Sequence, residues 1–393
     1  MRRIVLRAPL LLLAVPLIAV FVACASSDEP GGDPPLEDGG VRDSETADTF
    51  VDANDAGSDV DAEALRCSGD FCLVDLPNSG AYGFTKWVFA GVQVDPEIGV
   101  WAIANGVLGL DSATAQMLRF DGEGWKPLHA PALGTGADKR NIRLASLASD
   151  GAGNLLAVGA TVDDGAGAIV HGDGTAFTST SFEVALEAAW FAMPGEAWAS
   201  GRAGAIFHWR PDAGWVSEST EMGSDFFAVW GSGPDDVYVG GTNEDNWPVY
   251  GYLGHRTIED GEATWTFETF PELQPRPSED HTIRAGIALP DGTRFWSAPD
   301  VLARATNGGD PPWEADPFKP PVGVNAFWAR AKDDIWAVGN VGRVYHYDGT
   351  TWKDSLLVFN GAPLVANLTG IAGTSAGELF IVGDGVALRR KAP

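Results

Sequence analysis

The side chains of this sequence that could do chemistry are few, and several of them recur in register. His171, His208 and His346 each stand just ahead of an aspartate-led turn, at equivalent places in a repeated pattern. Repetition in register marks architecture, so none of them is assigned as a catalytic base or a metal ligand. No unrepeated set of His, Cys, Asp and Glu has the spacing of a metal site, and no nucleophile motif occurs, so no cofactor is expected. Glu187, Asp225 and Arg284 are the candidates for acid, base and charge stabiliser in a polysaccharide hydrolase or lyase. With Arg143, Asn325 and Asn367 they break the apolar pattern where successive strands begin, and there they could ring the mouth of a central channel. Solvated or mutually paired strand ends are the alternative. Trp247 and Tyr250 stand outside the repeat in an otherwise polar stretch, where they could stack on a sugar, anchor a peptide or fold back over a sheet edge. Cys67 and Cys72 could form a disulfide in an oxidising compartment. Asp52, Asn54, Gly57 and Glu63 match positions one, three, six and twelve of a calcium loop, but Ala56 takes the fifth, a ligand position, and a solvated acidic spacer is the better reading.

The elements that must position these residues come from a repeat. From residue 84 onward one unit recurs seven times. Its clearest copy runs from Asn325-Ala326-Phe327-Trp328 through Asp333-Asp334-Ile335-Trp336-Ala337-Val338-Gly339 to Val344-Tyr345-His346-Tyr347-Asp348-Gly349-Thr350-Thr351-Trp352. Short apolar runs between Gly/Asp turns read as strands of about five residues, four antiparallel strands to a unit, which is the plan of a propeller blade. On the second strand Trp101, Leu156, Trp198, Tyr238, Trp296, Trp336 and Phe380 fall in register, about 40 to 58 residues apart. On the first strand Val92, Leu147, Trp190, Trp230, Ile287, Trp328 and Ile371 follow, by two residues, Ala90, Ala145, Ala188, Ala228, Ala285, Ala326 and Thr369. Residues two apart share a face of a strand, and a small side chain is what an innermost strand needs where blades converge.

Turns led by Asp121, Asp173, Asp212, Asp260 and Asp348 precede Trp125, Phe177, Trp215, Trp265 and Trp352, aromatics expected to pack between blades. The last copy stops at Arg390, one strand short, while residues 71–76 precede the first copy and have no blade of their own. A ring must hide its open sheet edge, so this segment is expected to complete the seventh blade. The fold class is therefore all-β: a seven-bladed β-propeller of four-stranded antiparallel blades over residues 67–393, closed by an N-terminal strand. Residues 104–116, 131–141, 242–250 and 268–281 read as long loops on the face where the inner strands begin, the face that usually carries binding residues.

Composition agrees with many short strands. The chain of 393 residues has 49 Gly, 25 Pro, 15 Trp and 19 Phe against 4 Met. Its 26 basic and 54 acidic residues give a formal charge of −28, which would repel a phosphate backbone and argues against a nucleic-acid partner.

The N-terminus reads as an address. Arg2, Arg3 and Arg7 precede an uncharged apolar stretch, residues 8–22, that is shorter than the ~20 residues of a membrane-spanning helix and is interrupted by Pro9 and Pro16. The run Phe21-Val22-Ala23-Cys24 resembles the lipobox of bacterial lipoproteins. That resemblance implies a signal peptide over residues 1–23, lipidation of Cys24 and, from Ala25, sorting to the outer membrane of the cell envelope. An ordinary secretory signal is the alternative. Residues 24–66 then carry 13 acids and two bases among Gly, Pro, Ser and Ala. Such a segment cannot bury enough apolar surface to offset its ordering entropy, so it is read as a disordered, lipid-anchored tether, the only membrane attachment expected.

The repeat resembles those of bacterial secreted propellers related to the BNR or Asp-box and photosystem II assembly factor-like group, through segments such as Trp230-Gly231-Ser232-Gly233-Pro234-Asp235-Asp236-Val237-Tyr238. Asp348-Gly349-Thr350-Thr351-Trp352 lacks the spacer between Asp and Gly that a true Asp-box has, which sets the chain apart from sialidases. The resemblance implies the fold. The expected function is a monomeric, non-enzymatic envelope lipoprotein whose top face binds a protein or a glycan, with the polysaccharide-active enzyme as the alternative.

Overall fold

The computed structural model describes residues 66–108, 112–220, 223–243, 250–270, 273, 281–299, 301–305 and 313–392. Seven antiparallel sheets follow one another along the chain as the blades of a propeller. Blade 6 shows the plan, with Val324–Ala331 innermost, then Asp334–Gly339, Arg343–Tyr347 and Trp352–Leu356 outermost. The inner strands of the other blades, in chain order from blade 1, are Lys86–Asp95, Arg140–Ser149, Leu186–Met193, Asp225–Gly233, Ala285–Ala288 and, in blade 7, Leu368–Gly373.

The N-terminal strand closes the ring. Phe71–Leu73 pairs antiparallel with Val386–Arg390, placing Phe71 opposite Arg390, Cys72 opposite Arg389 and Leu73 opposite Leu388. Val74 extends the ladder by donating its backbone N–H to the Ala387 carbonyl at 2.9 Å. Asp75 then bridges to Gly124 of blade 1, so one segment both supplies the missing strand and straps the first blade to the last. Cys67–Ser68 folds back on this strand as a further edge, and Cys67 and Cys72, directly opposite each other, are joined by a disulfide.

The second strands supply the packing between blades through a recurring aromatic stack. Trp198, Tyr238 and Trp336 lie face to face with the cross-strand histidines His208, His255 and His346, ring centres 3.9, 4.2 and 4.0 Å apart. Two residues ahead of each aromatic an acid meets the histidine: Glu196, Asp236 and Asp334, at 2.7, 2.9 and 2.8 Å from the Nε2 atoms. The next blade covers the aromatic with a guanidinium, Arg256 over Trp198, Arg294 over Tyr238 and Arg390 over Trp336. Acid, histidine, aromatic and arginine form one layer that ties blade to blade, the role repetition assigned to His208 and His346; His171 instead faces Leu156 and has its ring 6.1 Å from that of Trp209.

Two expectations need correction. Residues 104–116 are not a loop. Gly99–Leu108 and Ser112–Phe120 continue as a hairpin paired as far as Leu108 and Ser112, because Ala104, Ala115 and Met117 are fully buried and leave the strands no reason to part. Residues 131–141 likewise contain Ala132–Leu133, paired with Asn141 and Arg140.

The second correction concerns register. Trp190, Trp230 and Trp328 face the second-strand landmarks Trp198, Tyr238 and Trp336. In blades 1, 2, 5 and 7 the facing residues are Gln93, Ala148, Gly286 and Ala372, so the recurring alanines do not share one structural position. In those blades the facing residue is small or polar, so the nearest bulky residue marks a neighbouring rung; a bulge three residues before the facing residue recurs in six inner strands and passes over Ala90, Ala145, Glu187, Phe227, Asn325 and Thr369. A bulge leaves one residue unpaired and re-aims its side chain. All six line the central channel, as do the seven small residues Ala90, Ala145, Ala188, Ala228, Ala285, Ala326 and Thr369.

Candidate functional site

The bulges place unlike side chains at one end of the channel. A cavity of about 440 Å³ opens there, lined by Arg143, Glu187, Phe227, Arg284, Asn325, Asn340, Asn367 and Asp384, and it continues into a throat of about 260 Å³. Of the candidates read from sequence, Arg143, Glu187, Arg284, Asn325 and Asn367 meet at this mouth. Asp225 is not in the lining.

Asp225 and Glu187 are tied to one side chain. Arg202, on the turn between the second and third strands of blade 3, donates from Nε to Glu187 at 2.7 Å and from Nη1 to Asp225 at 2.6 Å. Asp225 also accepts the backbone N–H of Ala203 at 2.9 Å, so it caps the preceding blade's turn. The two carboxylates are therefore close, yet a guanidinium occupies the space between them where an inverting or retaining hydrolase would hold its sugar.

Phe227 is the centre of the polar ring and was not foreseen. Arg202 of blade 3 lies 4.6 Å from its ring centre and Arg284 of blade 5 lies 5.5 Å away, so guanidinium groups flank it from both neighbouring blades. Phe227 precedes Ala228 as Glu187 precedes Ala188 and Asn325 precedes Ala326. Its side chain is apolar, so it gives no polar signal at that place in the sequence. Arg202 sits in the turn between the second and third strands, whose counterpart in blade 6 carries Asn340 at the same place.

The amides organise the opposite wall. Asn325 donates to Asn340 Oδ1 at 2.9 Å and to the Leu368 carbonyl at 2.8 Å, joining blades 6 and 7. Asn367 accepts the Val341 N–H at 3.4 Å. Arg143, on blade 2, is exposed and has no ion-pair partner among the described residues.

The aromatic pair divides. Trp247 lies outside the described residues. Tyr250 is half-buried and stacked on the fully buried His281, ring centres 6.1 Å apart, away from the channel lining. Cys24 and the calcium-like loop lie outside the described residues too. Among the described residues no group of three or more His, Cys, Asp and Glu could hold a metal ion.

No family model matches the chain, and no curated protein matches it. Solved propellers do. The chain is similar to YCF48 bound to D1 peptide, at 16% identity and a TM-score of 0.56 over 82% of this chain and 97% of that one. YCF48 from Cyanidioschyzon merolae gives 14% and 0.53 over 82% and 99%. The WD40 repeats of RRP9 give 10% and 0.58 over 82% and 98%. Similarity at this level defines the class, a β-propeller, and the fold alone.

Proposed function

We propose that this chain is a non-enzymatic binding protein that takes a segment of another protein at the mouth of its channel, and that it works in the cell envelope as an outer-membrane lipoprotein anchored through Cys24. The observation that carries the reading is the Arg202 bridge. With Glu187 and Asp225 both engaged by one guanidinium, neither of these two carboxylates stands free as an acid or base, while amides, arginines, Asp384 and Phe227 are presented at the mouth on a rigid scaffold. A protein partner fits better than a glycan, because sugar stacking needs an open aromatic face and the Phe227 ring is flanked by Arg202 and Arg284. A structural neighbour captured with a peptide supports the same reading by likeness of fold.

The test is site-specific photocrosslinking in intact cells. A photoreactive residue in place of Asn367, at the mouth, should give discrete protein adducts, and the same group in place of Lys332, on the turn at the other end of the inner strand of blade 6, should not. Adducts from Lys332 alone would remove the mouth from the binding surface. Release of reducing sugar from envelope polysaccharide by the purified propeller, abolished in Glu187→Gln, would establish the enzyme instead.

A further inference from the structure

Six blades protect the open edge of their outermost strand, and blade 2 does not. A free row of N–H and C=O groups is a template for another strand, and natural sheets guard it with charges, proline or shortness. Trp125–His129 of blade 1 carries Lys126 and Pro127, Glu262–Thr269 of blade 4 carries Glu262 and Glu268, Trp313–Ala315 of blade 5 carries Glu314, and Trp352–Leu356 of blade 6 carries Lys353 and Asp354. Gly214–Ser217 of blade 3 is four residues long, and the edge of blade 7, Cys67–Ser68, is two. The outer strand of blade 2, Phe177–Phe182, reads Phe-Thr-Ser-Thr-Ser-Phe, six residues with no charge, proline or glycine.

The outward side of this strand is open. It ends its sheet, pairing only with Gly167–Gly172, and among the described residues no backbone hydrogen bond reaches it from any other element. The turn bond from the Asp173 N–H to the Ala176 carbonyl, 3.3 Å, sets the alternation. Thr178, Thr180 and Phe182 exchange bonds with the third strand, while Phe177, Ser179 and Ser181 turn their N–H and C=O groups outward. The strand is held where it is from both sides. Phe177 is stacked on His129 of blade 1, ring centres 4.8 Å apart, and Phe182 packs edge-on against Phe207 of blade 3 at 4.9 Å. Thr178, Thr180 and Ser181 are exposed.

The outward groups complement a second copy of themselves. In an antiparallel pair, residues with outward groups stand opposite one another. A two-fold axis at Ser179 therefore sets Ser179 against Ser179 and Phe177 against Ser181, and each of these pairs exchanges two backbone bonds. Thr178 then stands opposite Thr180, a favourable cross-strand pair. The first charges beyond either end, Asp173 and Glu183, fall opposite Ala185 and Thr175, so no charge meets a charge. An axis at Thr180 would set Glu183 against Phe177 instead. In a chain of formal charge −28, whose copies repel elsewhere, an uncharged edge is where two of them can meet.

We infer that the outer strand of blade 2 is the contact through which two copies of this chain pair, edge to edge and antiparallel about Ser179, into a two-fold dimer. The contact uses the outer rim and is independent of the protein-binding reading of the mouth. So short a ladder buries little area, so the pair is weak, dimeric where the chain is crowded and monomeric where it is dilute.

Cysteine crosslinking of the full chain in intact cells tests it. With Ser179→Cys, a mild oxidant should yield a species of twice the chain's mass on a non-reducing gel, because opposed residues at the axis lie within the reach of a disulfide. Lys353→Cys, on the charged outer strand of blade 6, should yield none. Two further changes at exposed positions read the register. Adding Thr178→Lys and Thr180→Lys to Ser179→Cys sets like charges opposite each other and should lower the crosslinked fraction about tenfold. Adding Thr178→Lys and Thr180→Glu sets opposite charges against each other and should restore it. Recovery on reversing one charge cannot come from a change in folding. Crosslinking from Ser179→Cys no stronger than from Lys353→Cys, or equal in the two charge variants, would overturn the inference. An adduct of any other mass would give the edge to a strand of a different protein and overturn it equally. The Asn367 crosslinks report on the mouth separately, so either reading can fail while the other stands.

Discussion

Gly286 on the inner strand of blade 5 lies directly against the indole of Trp230 in blade 4: a Cβ placed on Gly286 would fall 2.1 Å from Trp230 Cε2 and 2.4 Å from Cδ2. Trp190 meets Gly231 and Trp328 meets Gly373 in the same way, at 2.8 and 2.7 Å. Each of these three tryptophans is thus accommodated by a glycine on the following blade. The indole is rigid and 4% exposed, so it cannot swing aside. Gly286→Ala should destabilise the propeller by about 1–3 kcal/mol, the usual cost of overpacking. Urea denaturation checks this, and a smaller effect of Gly286→Ala in a Trp230→Phe background would localise the clash to that pair.

Glu218 makes the inter-blade layer sensitive to acid. Burial disfavours its ionised form, but hydrogen bonds from His208, Arg256 and Trp265 outweigh burial and hold its carboxyl at about 2, below the ordinary value of 4.5. Because the folded carboxyl stays ionised to lower pH than the unfolded one, its contribution is fully present above pH 4.5 and is lost as pH falls toward about 2. Chemical denaturation as a function of pH should show stability dropping through that window. In Glu218→Gln the drop should be shallower and the stability at neutral pH lower; an unchanged pH profile would remove Glu218 as its source.

The blades were legible because repetition multiplies weak signals. One Asp-Gly pair before a tryptophan is ambiguous, but the recurrence at Trp125, Trp265 and Trp352 fixes a strand and its outward turn, and the strand missing after Arg390 points to Phe71. The inner register was not legible. In blade 1 the residue that faces Trp101 is the polar Gln93 and the bulky Val92 stands one rung away, whereas in blade 3 the bulky Trp190 itself faces Trp198, so Ala188 and Ala90 look equivalent in sequence while their places differ by one. His255 escaped notice because its strand, Gly251–Glu259, runs on past the histidine before the turn at Asp260. The polar mouth was visible in Arg143, Glu187, Arg284, Asn325 and Asn367, but Phe227, which is apolar, and Arg202, which reaches the mouth from a turn and not from the start of an inner strand, were not.

Membrane attachment is expected to depend on Cys24. No helix among the described residues is long and apolar enough to cross a membrane. A lipid on a cysteine at the start of an acidic tether would supply the attachment. In cells producing Cys24→Ser, the protein should move from the membrane fraction to the soluble fraction, with its melting temperature unchanged after purification. Continued sedimentation with membranes at the parent's level would require a different anchor.

Ring closure should depend on Phe71 more than on any other single side chain of the N-terminal strand. Phe71 is 6% exposed and packs edge-on against Trp336 of blade 6, ring centres 6.0 Å apart, while its backbone pairs with Arg390 of blade 7. It therefore joins the strand Phe71–Leu73 to two blades at once. Phe71→Ala should cost about 3–5 kcal/mol, as for other buried phenylalanines, and should expose the edge of Val386–Arg390, a template for pairing with another chain. Deleting residues 67–77 should have the larger effect, because it removes the ladder as well as the side chain. Light scattering during a thermal ramp should then show aggregation well below the parent's unfolding temperature. A truncated propeller that stayed monomeric and melted with the parent would mean that blade 7 closes the ring without this strand.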